Sequence, residues 1–91
     1  MANDEDFEAF GALMGRFIQV ANQMKDEGVP VQLINGAMMA ASATYGTYIS
    51  AGNEGYLKES GVDKLVDVYR KHAEYIQRVK AHELGENRTD S

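Results

Sequence analysis

Residues 28–53 carry no charged side chain, while the sequence on either side is rich in Asp, Glu, Lys and Arg. In a short acidic chain, such a segment is the natural central element around which the rest packs. Pro30 suits a first helical position, because the N–H it lacks would be unpaired there anyway. Gly28 just before it can close a preceding helix in the left-handed conformation. Val31, Ile34, Met38, Ala41, Tyr45 and Tyr48 then recur at steps of three and four, one face of a helix. Leu33, Ala37, Ala40 and Thr44 make a second stripe beside it. The third side holds Gln32, Asn35, Met39, Ser42, Gly46 and Ile49, small or mildly polar but uncharged. A helix with no charged side is expected to be covered over most of its surface.

The length would also suit a membrane span. Gln32, Asn35, Ser42, Thr44, Thr47 and Ser50 dilute the run, and no basic cluster flanks it, so a buried helix is the expectation. Gly36, Ala40 and Thr44 lie four apart, a spacing that lets two helices approach closely in bundles as in membranes.

The flanking segments read as amphipathic helices. Phe7, Phe10, Met14, Phe17, Ala21 and Met24 run three, four, three, four, three, with Leu13 and Val20 widening the stripe. Asn3 or Asp4 can cap this helix, and the acidic side chains that follow favour the positive end of its dipole. Gly11 and Gly15 share a side, and Gly11-x-x-x-Gly15 with Gly36-x-x-x-Ala40 could form two halves of a close crossing. The link from Lys25-Asp26-Glu27-Gly28 to Pro30 is so short that it implies an antiparallel hairpin. Gly52-Asn53-Glu54-Gly55 is a turn signature, and Tyr56-Leu57 can tuck back onto the bundle. Ser60-Gly61-Val62-Asp63 has capping-box spacing. Val62, Leu65, Tyr69, His72, Ile76 and Val79 carry the same rhythm through a third helix. Asp67 with Lys71 and Glu74 with Arg78 mark its solvent face. Gly85 is a stop, and residues 86–91 have nothing to bury and should fray.

The expected fold is therefore all-α: a three-helix bundle over roughly 4–26, 30–51 and 61–82, with an antiparallel first hairpin. At 91 residues it is expected to be a single domain, and one this small gains materially from a partner. Without cysteine there can be no disulfide and no thiolate metal site. The opening residues lack a basic n-region with an apolar core, so no signal peptide is expected. A net charge of −5 argues against nucleic acid as a partner, since Arg16, Lys25, Arg70, Lys71, Arg78 and Lys80 are too sparse for a basic face.

No motif specifies a reaction. There is no Gly-rich phosphate loop after a strand, no nucleophile elbow and no cysteine nucleophile. Neither Glu-x-x-His nor His-x-x-x-His spacing repeats, so no metal or cofactor is expected. Tyr45, Tyr48, Tyr69 and His72 can gather into a buried polar cluster, which reads first as satisfied core groups. The same four residues are the basis for the alternative function, a ligand-binding or catalytic bundle. The leading expectation is a non-enzymatic, self-associating interaction module. Its homodimer interface would use Asn35, Met39, Ser42, Gly46 and Ile49, with Gly11 and Gly15 as further contacts. An uncharged helix face with no cover inside a three-helix unit is the reason.

Phe17-Ile18-Gln19-Val20-Ala21-Asn22 resembles the Phe-Ile-x-x-Ala-Asn stretch of a group of short bacterial proteins known as a domain of unknown function. Ala37-Met38-Met39-Ala40-Ala41 with Tyr45 and Tyr48 is similar to that group's Ala-rich second helix, and Tyr69-Arg70 to its third-helix Tyr-Arg. The resemblance implies a helical fold and a bacterial cytoplasmic setting. It implies no mechanism.

Overall fold

The computed structural model describes residues 4–52 and 54–85, with only the backbone of Asp4 described. The chain is all-α, with three helices and no strand among the described residues. Helix α1 spans Asp4–Asp26, α2 spans Val31–Ala51 and α3 spans Glu59–Glu83. The Asn3/Asp4 cap, Asn53 of the turn and the tail 86–91 lie outside what is described.

The helix ends follow from local chemistry. The Val29 N–H donates to the Met24 carbonyl at 3.1 Å and the Gly28 N–H to that of Lys25 at 2.9 Å. This pair of bonds closes α1 as a Schellman motif, with Gly28 left-handed at φ 97°. Val29 is half-buried, as its place opposite Met24 in that motif suggests. Gly52 ends α2 in the same backbone region, its N–H donating to the Tyr48 carbonyl at 2.8 Å. Gly85, also at positive φ, follows α3.

The start of α3 differs from the expected one. Ser60 lies inside the helix, and the N-cap is Lys58, held extended at φ −74°, ψ 169° without a side-chain cap bond. Its carbonyl accepts from the Gly61 and Val62 N–H groups at 2.9 and 3.0 Å. The helix begins as soon as Lys58 leaves the extended backbone, before a Ser60 side chain could cap it. Tyr56, expected to tuck inward, is 85% exposed, while Leu57 beside it is half-buried.

Contacts divide the chain into two units, Met1–Ser42 and Ala43–Ser91, and the division falls inside α2. In the first unit Ile34 is buried at 7% exposure, and Ala21, Val29 and Met38 are half-buried. In the second, Leu65 packs against Gly46. A methyl group built on Gly46 would meet Leu65 Cδ1 at 2.8 Å, so the absent side chain is what lets Leu65 seat against α2. Leu57 packs similarly at Gly61, 3.3 Å from where a Cβ would stand. Ala51, Ala73, Ile76 and Val79 are half-buried.

The expectation that the chain itself sheathes the uncharged helix is corrected. Leu33, Ala37, Ala40 and Thr44 are exposed along their whole stripe. Of the Val31-to-Tyr48 face, only Ile34 and Met38 gain cover. Cover on α2 is concentrated beside its two joins: Ile34 and Met38 after the first turn, Gly46, Thr47 and Ala51 before the second. Each flanking helix is amphipathic and offers one apolar stripe, which is too little to wrap a helix with three uncharged sides.

Candidate interaction surface

The residues expected at an interface are distributed along α1 and α2. In the first unit Asn35, Met39 and Ser42 are exposed. The Asn35 side-chain amide donates to the Met39 sulfur at 3.7 Å, one helical turn on. This contact holds the flexible thioether along the helix. In the second unit Ile49 is 68% exposed, whereas Gly46 is half-buried and already occupied by Leu65 of the same chain. Gly46 therefore has an internal packing role that its place on the uncharged side did not reveal.

The glycines expected to admit a close crossing do not meet one inside the chain. At Gly11, Gly15 and Gly36 an added Cβ would touch nothing within 4 Å. The anticipated crossing of Gly11-x-x-x-Gly15 with Gly36-x-x-x-Ala40 is thus not made between α1 and α2.

The polar residues stand in water rather than in a core. Tyr45, Tyr48, Tyr69 and His72 are all exposed, which corrects the expectation of a buried cluster. Tyr45 and Tyr48 lie one turn apart on α2, with ring centroids 6.2 Å apart and planes tilted by 35°. They form one wall of an open depression of about 360 Å³, completed by Thr44, Thr47, Gly52 and Gly55. Tyr69 and His72 are not part of its lining. The Thr47 hydroxyl donates to the Ala43 carbonyl at 2.9 Å, so it is turned toward its own helix. The threonines at the depression escaped notice in the sequence because they were read as polar residues diluting the uncharged run. Their spacing of three, alongside two tyrosines also three apart, was the available signal.

On α3 the expected Asp67–Lys71 pair forms at 3.1 Å. Arg78 lies over the Tyr75 ring, 5.8 Å from its centroid, a cation–π contact that the acid-to-base pattern did not suggest. Among the described residues there is no group of three metal-ligating side chains, and no helix is long and apolar enough to cross a membrane.

What is most extensive on this surface is apolar. Exposed large hydrophobic residues occur on all three helices, Phe17, Leu33 and Val66 among them. Scattered singly such residues would be ordinary, but at helical spacing they make continuous stripes. No family model, curated protein or solved structure matches the chain.

Proposed function

We propose that this chain is a non-enzymatic interaction module that acts by self-association, its helices completing a bundle in a homodimer. One observation carries the reading: Ile34 is the buried hydrophobic residue of the described structure, while large apolar residues on every helix face water. Burying apolar surface contributes on the order of 25 cal/mol per Å². A chain with so little of it covered gains much of its stability only when another surface arrives. The antiparallel pairing of α1 with α2 belongs to the same proposal, and the short Schellman turn between them supports it. The bacterial cytoplasmic setting rests on the family resemblance of the Phe17–Asn22, Ala37–Tyr48 and Tyr69-Arg70 stretches alone.

On the uncharged side of α2, Met39 and Ile49 are the large exposed groups, flanked by Asn35 and Ser42. Light scattering at tens of micromolar should give the mass of a dimer, and a monomer mass would overturn the reading. Met39→Glu would place a carboxylate on that side and should shift dimer toward monomer. An unchanged mass would remove this side of α2 from the interface.

A further inference from the structure

Helix α1 carries the most exposed amphipathic face of the molecule. Among its described residues only Ala21 is even half-buried. On α3, by contrast, Leu65, Ala73, Ile76 and Val79 of the apolar stripe are half-buried. We infer that the α1 stripe belongs to the self-association surface together with the uncharged side of α2, pairing antiparallel with α1 of a second copy. This inference rests on the self-association proposed above and names the face and direction.

The spacing supplies the first argument. Phe7, Phe10, Met14, Phe17, Ala21 and Met24 are separated by three, four, three, four, three, the same read from either end. Two copies running in opposite directions about a two-fold axis therefore meet in register. Phe7 falls opposite Met24 of the second copy, Phe10 opposite Ala21, and Met14 opposite Phe17. Two of these layers set a thioether against an aromatic ring, a favourable contact, and the third sets a large side chain against a small one. Gly11, with nothing within 4 Å of an added Cβ, falls opposite Ile18 on the flank.

Area is the second argument. Phe7, Phe10 and Phe17 are 56%, 48% and 69% exposed. Each then keeps on the order of 100 Å² in water, given the size of an aromatic side chain. With Leu13, Met14, Ile18, Val20 and Met24 exposed beside them, the face offers on the order of 600–800 Å² per copy, close to the roughly 800 Å² per partner of a standard interface. The interface is isologous and closed, so it stops at two copies.

Charge weighs against the parallel direction. Glu5, Asp6 and Glu8 crowd the start of α1, and a parallel pair would set both acidic ends side by side. Reversal sets each acidic start beside an end of smaller net charge, where Lys25 offsets one of Asp26 and Glu27, and places opposed helix dipoles together.

The chain has no cysteine, so introduced thiols report on pairing alone. Gly11→Cys and Ile18→Cys are prepared separately and mixed under mild oxidation, with mass read by light scattering before oxidation and cross-linking by non-reducing gel. A dimer that cross-links mainly in the mixture supports the pairing. A dimer that cross-links equally in each single variant, or in no sample, overturns the α1 pairing and leaves self-association standing. A monomer overturns both. Phe10→Glu with Phe17→Glu should halve the mass while circular dichroism keeps its helical signal, and a dimer that survives both changes also overturns the pairing.

Discussion

At Gly55 a methyl group has nowhere to go. Its carbon would collide with the Ala51 carbonyl oxygen and stand 2.9 Å from the Ala51 Cβ. The obstacle is backbone, which cannot turn aside as a side chain can. At Gly46 the obstacle is the tip of Leu65, which can rotate, and at Gly36 there is none. Alanine at these three positions should therefore have graded effects on the urea unfolding midpoint. Gly36→Ala should stabilise by up to about 1 kcal/mol, the ordinary helix preference of alanine over glycine. Gly46→Ala should be near neutral, that gain being offset by displacement of Leu65. Gly55→Ala should destabilise by about 1–3 kcal/mol, as forced overpacking does. The sequence marked Gly55 as a turn residue, but the contact that makes it irreplaceable depends on how the chain folds back after Gly52.

For single elements, periodicity was a sound guide where a helix announces its own ends. Pro30 and Gly28 bracket the turn between α1 and α2 because each acts through its own backbone angle, which is local information. The start of α3 was misread because its N-cap, Lys58, makes no side-chain cap bond, so no capping residue marks it in the sequence. The polar cluster failed for a different reason. Tyr45 and Tyr48 are neighbours by helix geometry alone, whereas bringing Tyr69 and His72 to them requires a register between two helices that spacing does not set. The Asp67–Lys71 pair is also local, and it was legible. Its side chains are 56% and 73% exposed, so it contributes little. Asp67→Asn should cost no more than about 0.5 kcal/mol, and the loss should vanish in about 1 M salt, where screening acts over a few ångströms. Unfolding curves at low and high salt would show it.

For the molecule as a whole, the uncharged run was expected to mark a helix covered by the rest of the chain, and the structure leaves most of that helix exposed. Absence of charge says that burial is tolerable; it does not say which surface does the burying. Under the proposed self-association, association and folding are parts of one equilibrium. The melting temperature should accordingly rise with protein concentration, by mass action on the associated native state. A melting temperature constant over a hundredfold dilution from about 100 µM, a range that brackets micromolar affinity, would separate folding from assembly.

The Gly55 turn also bears on descent. Exposed apolar positions can exchange Leu for Met or Val for Ile with little penalty, so the stripes of this fold can drift beyond recognition. A site where the neighbouring carbonyl forbids every side chain cannot drift. Sequences of common ancestry should keep a glycine three positions after the one that ends the central helix, long after the surrounding letters have changed.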